Sequence, residues 1–191
     1  ERWARHWLDA VRFAESNGFE MNQARPHAWR YRDWVIRSLN EDKAYDQFVR
    51  ELLTAQGSTW RNGATVIYRD RPTTEEIGSS VSQLFLGIRL ECAKCHHHPF
   101  EVWSQDDFYG FASIFSRVGH IGGLSPPLSG AEEIIFASSS GELRHIRTGQ
   151  PVPPTILKQE PMKLGPDDEP REKLVEWMTS ETNPFFAKVM A

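Results

Sequence analysis

The chain has 191 residues, a net charge of −4, 39% hydrophobic residues, seven Trp and eleven Phe. That length holds one domain or one and a half, and the aromatic content suits a packed core or a flat ligand. The acidic balance argues against nucleic acid as the main partner, because phosphate-binding surfaces carry a basic excess. No apolar stretch reaches the roughly 18 residues of a membrane span. The longest, Leu84 to Leu90, is interrupted by Gly87 and Arg89.

The first half reads as helical. Trp3, Trp7, Val11 and Ala14 recur at helical spacing, with Gly18 as a stop. Arg25-Pro26-His27 forms a connector into a second helix whose stripe is Tyr31, Trp34, Val35 and Leu39. Asp46 is the expected cap of a third, carrying Val49, Leu52 and Leu53. Residues 57–72 are polar and irregular and read as a loop. Thr73-Thr74-Glu75-Glu76 is a capping-box pattern, opening a helix through Ile77, Val81, Leu84, Phe85 and Ile88 that runs into Cys92. Ser104-Gln105-Asp106-Asp107 starts another, leading into Phe108, Phe111, Ala112 and Phe115.

The character changes at Gly119, where Gly, Ser and Pro cluster through Gly130. Ile134–Ala137 and Leu143–Ile146 read as two short strands joined by Ser138-Ser139-Ser140-Gly141, and Pro151, Pro153 and Pro154 keep the next stretch extended. A last helix begins near Pro170, a favoured first position, with Leu174, Val175, Trp177 and Met178 as its apolar residues. The expected fold is therefore mainly α: a helical domain over 1–118, a Gly/Pro-rich segment with a small irregular β-hairpin over 119–165, and a C-terminal helix leading into a further, truncated domain over 166–191. Both ends read as cut from a longer protein, since the first residues already form a helix and the last stop inside one.

The chemistry concentrates in Cys92-Ala93-Lys94-Cys95-His96. These are the two Cys of the sequence, three apart, with His directly after. In a c-type haem site each thiol adds to one vinyl group, two intervening residues match the vinyl separation, and the following His ligates the iron from one side. Cys92 and Cys95 are thus read as the attachment points of one covalent haem c and His96 as the proximal ligand. Two other readings stay open: a zinc or other metal site on Cys92, Cys95, His96 and His98, and a disulfide or free thiols. His98 is too near His96 to reach the opposite haem face. It is left to hydrogen-bond a propionate, hold a second metal or cap the turn at Pro99. The sixth ligand is sought among Met21, His27, His120, His145 and Met162, with Met21 preferred because it sits in a polar loop. Phe100 and Trp103 stand ready to pack on a haem edge. Trp3, Trp7, Trp34 and Trp177 read as core aromatics. Arg25, Arg30 and Arg32 suit either propionates or structural ion pairs.

The stretch Leu86-Gly87-Ile88-Arg89-Leu90-Glu91-Cys92-Ala93-Lys94-Cys95-His96-His97-His98-Pro99-Phe100, followed by Trp103 and Asp107-Phe108-Tyr109-Gly110, resembles the planctomycete cytochrome-c-like domain of unknown function. So do Glu1–Asp9, Asn17–Asn22, Trp29–Ile36 and Tyr45–Phe48. Residues 131–154 resemble the segment that follows in one branch of these proteins, and Asn183-Pro184-Phe185-Phe186-Ala187 resembles the opening of the second planctomycete domain that usually comes next. The resemblance implies haem attachment at Cys92 and Cys95, His96 on the iron, and His98 as the second His of the family's Cys-x-x-Cys-His-x-His pattern.

The functional expectation is an electron-transfer module of a larger exported protein, located in the periplasm or at the cell surface, where bacteria attach haem c. Its partners are a redox protein and the remainder of the parent protein that follows it. With no Gly-rich phosphate loop and no Gly-x-Ser-x-Gly elbow, it reads as a redox arm rather than a complete enzyme. The rival readings are a scaffold stapled by a structural metal, and a metal-dependent hydrolase using His96, His98 and a remote carboxylate.

Overall fold

The structure is a computed structural model, and it describes residues 1–16, 24–122 and 131–189. It is mainly α, as expected. Packing divides the molecule into two compact units, each made of two stretches of sequence: Glu1–Asp70 with Gly119–Phe136, and Arg71–Val118 with Ala137–Ala191. These are groupings by contact; the division at residues 119 and 166 concerns sequence character and stays an expectation.

The first unit contains α1 (Arg2–Ala10), α2 (Trp29–Asn40), α3 (Tyr45–Leu53), the two-residue strand β1 (Gly57–Ser58), a 3-10 turn at Gly63–Thr65 and α4 (Val66–Asp70). Its core follows the helical stripes. Tyr31, Trp34, Val35 and Ser38 are the buried face of α2, and Phe48, Val49, Leu52 and Leu53 that of α3. Trp34 stacks on Phe48 at 4.7 Å, Trp7 meets the same ring edge-on at 5.0 Å, and the Trp7 indole N–H donates to the Tyr31 hydroxyl at 2.9 Å. Burying each large side chain of this kind contributes about 1.5–3 kcal/mol. Tyr45 packs beside them, and burial pushes its hydroxyl up to about 12.

Four expectations need correction here. Trp3 is 74% exposed: α1 ends at Ala10, Arg12 takes a positive φ of 56°, and the helix is too short for a stripe from Trp3 to Ala14. Leu39 is 40% exposed while its neighbour Ser38 is buried. Asp46 lies in the first turn of α3, whose N-cap is Ala44 without a side-chain cap. Residues 57–72 are not a loop throughout, because Ala64, Thr65, Val66, Ile67 and Tyr68 are all buried. An element as short as α4 leaves no readable period.

The second unit contains α5 (Thr74–Leu86), a 3-10 turn at Leu90–Ala93, α6 (Gln105–Ala112), α7 (Pro170–Met178) and α8 (Phe186–Val189). The capping box on α5 forms as predicted, Thr73 accepting from the Glu76 amide and Glu76 reaching back to the Thr73 amide. Ser104 and Asp107 make the same arrangement on α6. Pro170 occupies the first position of α7, and Leu174, Val175 and Met178 are fully buried. Trp177 is half-buried, against Phe185 at 6.3 Å. Arg171 is completely buried and paired twice with Glu169, at 2.9 and 2.7 Å. Burial alone would raise the Glu169 carboxyl, but the Arg171 guanidinium and amide outweigh it and hold the carboxyl below its ordinary value.

The expected hairpin is not one hairpin. Strands β2 (Val118–Gly122) and β3 (Glu133–Ala137) join β1 in a sheet of order β1-β3-β2, with β3 antiparallel to β1 and Gly57 opposite Ile135. The strand β4 (Leu143–Arg144) pairs instead with β5 (Pro151–Val152), Leu143 opposite Val152. Turn chemistry reports only local partners, whereas β3 finds a partner more than 70 residues earlier in the sequence. Among the described residues, no helix is long and apolar enough to cross a membrane.

Candidate functional site

The Cys-His segment does not continue α5. That helix stops at Leu86, where Gly87 takes the left-handed conformation (φ 69°) that a side chain rarely adopts. Cys92 lies instead in the 3-10 turn Leu90–Ala93. In such a turn residues three apart eclipse, and Leu90 and Ala93 are that pair, 1% and 0% exposed. With Ala93 anchored inward between them, both Cys92 and Cys95 are exposed, and both thiols are free.

The residues beyond are held from the back. Buried Gln105, in the first turn of α6, donates to the Lys94 carbonyl at 2.8 Å. The His98 amide donates to the Trp103 carbonyl at 2.8 Å, closing the loop. Trp103 is buried, donates to Glu101 at 2.8 Å and packs on Phe185 at 6.1 Å. Phe100 and Val102, by contrast, are 93% and 78% exposed.

The imidazoles differ in what they have free. His96 is exposed, and its Nδ1 lies 2.6 Å from the His97 carbonyl. A carbonyl only accepts, so in the neutral ring Nδ1 carries the proton and Nε2 the lone pair, which has no partner among the described residues; a carbonyl on the far nitrogen is how ligating imidazoles are commonly oriented. The His98 Nδ1 accepts from the Phe100 and Glu101 amides at 3.2 and 2.9 Å. In the neutral ring its proton is then on Nε2, which leaves a donor and no free lone pair. Among the described residues, no group of three or more His, Cys, Asp or Glu side chains comes together to hold a metal.

Behind the segment stands Tyr109, buried on α6. Burial, then the charges of Glu75 and Cys95, raise its hydroxyl above the ordinary value, so it stays neutral. Its ring lies 4.7 Å from that of His145, which is 3% exposed. The His145 Nδ1 accepts from the Arg147 amide at 3.1 Å, and its Nε2 is 3.4 Å from Asp106 without a hydrogen bond. This ring borders a cavity of about 360 Å³ lined also by Asp107, Gln150 and Pro151.

Of the other sixth-ligand candidates, Met21 lies outside the described residues. His27 sits against Trp60 at 5.2 Å and His120 bonds Glu133 at 2.7 Å, both in the first unit. Met162, in the second, is half-buried and its amide donates to Pro154. Arg25 pairs with Asp70, and Arg32 with Glu15 and Asp33 at 2.8 and 3.0 Å. Among the described residues Arg30 pairs with no carboxylate; it bonds the Trp60 carbonyl and stacks over Trp29. Gln105 and Tyr109 are not legible in the sequence as site residues, because their roles arise from a helix packing behind a turn.

Residues 1–120 match the family model described as PSCyt2, protein of unknown function (DUF1549). The protein belongs to the PSCyt2 family. PSCyt2 is a planctomycete cytochrome-c-like domain of unknown function, and the match covers the Cys-His segment together with both capped helices that hold it. No curated protein and no solved structure matches the sequence.

Proposed function

We propose that this member of the PSCyt2 family carries one c-type haem bound covalently through Cys92 and Cys95, with His96 as proximal ligand, and works as an electron-transfer module. The observation that carries the reading is the donor set: two exposed free thiols beside an exposed imidazole whose Nδ1 is engaged by a carbonyl and whose Nε2 is free. Those residues fit the group, since thioether formation needs accessible thiols and iron ligation needs a neutral, oriented imidazole. A bound haem supplies single-electron chemistry at its iron. The protein's own residues do the rest. Gln105 and Trp103 fix the loop that presents the thiols, and neutral Tyr109 adds no charge beside Cys95. Phe100 and Val102 offer apolar surface to a macrocycle, and His98 keeps an Nε2–H to donate to a propionate. Met21 remains the preferred sixth ligand. The parent protein is exported to the periplasm or cell surface, and the second planctomycete domain begins near Asn183.

A structural zinc site is the second reading, but four converging ligands are its usual requirement, and the His98 lone pair is already engaged. The deciding experiment is a pyridine haemochrome spectrum on protein exported with haem-maturation machinery. A c-type band at one haem per molecule is expected, and it is lost when Cys92 and Cys95 are changed to Ala. No band, with stoichiometric zinc by elemental analysis, overturns the proposal.

A further inference from the structure

One face of α2 carries a stripe that the core does not use. Trp29, Asp33 and Arg37 are each four residues apart, with Arg30 beside them, so their side chains share one side of the helix. The loop Trp60–Gly63 lies against that side. A Cβ on Gly63 would stand 2.3 Å from the Arg30 carbonyl oxygen and 2.8 Å from the Trp34 Cβ, so only glycine allows this approach. Together they form a cleft of about 240 Å³.

Its chemistry is uneven in charge. Three guanidiniums, Arg30, Arg37 and Arg61, face one carboxylate, Asp33, which already accepts from Arg32 at 3.0 Å. Among the described residues, Arg37 and Arg61 have no ion-pair partner. Among the described residues, neither the buried Arg30 Nε nor the buried Nδ1 of His27 beside Trp60 has a hydrogen-bond partner. Three guanidiniums around one carboxylate leave a local cationic excess, and in a protein of net charge −4 that excess is not a consequence of composition. Trp29 and Trp60 are 40% and 38% exposed as residues; Arg30 lies over the one ring at 4.6 Å and His27 against the other at 5.2 Å, so the apolar surface offered to a ligand is the exposed remainder of each indole.

We infer that this cleft binds a hydroxylated ring bearing an oxyanion, an acidic monosaccharide unit being the class that fits. The guanidiniums take the carboxylate, which they match in a planar fork. The indoles take the C–H face of the ring, and the second oxygen of Asp33 accepts a hydroxyl. The volume admits one such ring rather than a large ligand. The inference is independent of the proposed function, which uses Cys92, Cys95, His96, His98 and Met21 and none of the cleft residues.

The test is a tryptophan-fluorescence titration of the full-length protein with glucuronate, glucose and benzoate. Glucuronate is expected to saturate, with glucose and benzoate each about 10-fold weaker or more. The double variant Arg37→Gln, Arg61→Gln, with its fold checked by circular dichroism, is expected to bind glucuronate at least about 10-fold more weakly. If it does not fold, Arg37→Gln alone is read in the same way. No saturation with glucuronate, equal binding of glucose or benzoate, or an unaffected folded variant overturns the inference.

Discussion

Two neighbouring stretches of the second unit are built on opposite terms. Helix α6 is closed by a reciprocal cap and buries Phe108, Tyr109, Phe111 and Ala112. The segment from Cys92 to Val102 keeps its thiols, His96, Phe100 and Val102 at the surface and touches the frame through Leu90, Ala93, the Lys94 carbonyl and Trp103. The contrast is one of display: a few buried anchors set the backbone, and the side chains proposed to do the chemistry are excused from packing. A site assembled in this way needs little of the protein's stability, and its residues are replaceable without unfolding it.

That contrast is open to measurement. The largest effect belongs to the frame: Arg171→Ala leaves Glu169 half-buried without its cation and is expected to lose about 3–5 kcal/mol in urea unfolding. The same pair sets an acid limb. Because the folded Glu169 carboxyl titrates below its ordinary value of 4.5, its contribution is complete above that value and fades as pH falls through the lower folded one. The variant Glu169→Gln is expected to lose that component of the acid limb in unfolding curves at stepped pH. Gln105→Ala, which strips the Lys94 carbonyl of its partner, is expected to cost about 1–3 kcal/mol and to open the segment to proteolysis near His96. Phe100→Ser is expected to stay within about 0.5 kcal/mol of the parent. A loss of more than about 1 kcal/mol there would show that the segment is core after all, and the comparison would fail.

The helices with strong local signals are legible in the sequence. Thr73 with Glu76 and Ser104 with Asp107 announce their helices because a cap is a contact between residues three apart. Pro170 announces α7 for a similar reason. The Cys-x-x-Cys-His spacing singles out the candidate site without any structure. What stays hidden depends on distant partners. The pairing of β3 with β1 escapes a sequence reading because nothing near Gly57 marks a strand. Trp3 and Trp7 look alike in the sequence, yet only Trp7 meets a Phe48. The end of α5 at Gly87 is masked because the apolar run continues through Ile88 and Leu90, which are buried in a turn rather than a helix.

A mainly α architecture, the capped helix starts and a single Cys-His motif follow from the order of residues alone, since each of these is written in spacings of three or four. It takes the packed molecule to turn the two thiols outward around a buried Ala93, to hold the protons of His96 and His98 on different nitrogens, and to set the Arg- and Trp-bearing face of α2 against the Gly63 loop. Burial, hydrogen-bond partners and charge pairing are properties of which distant residues meet, and no local pattern encodes them.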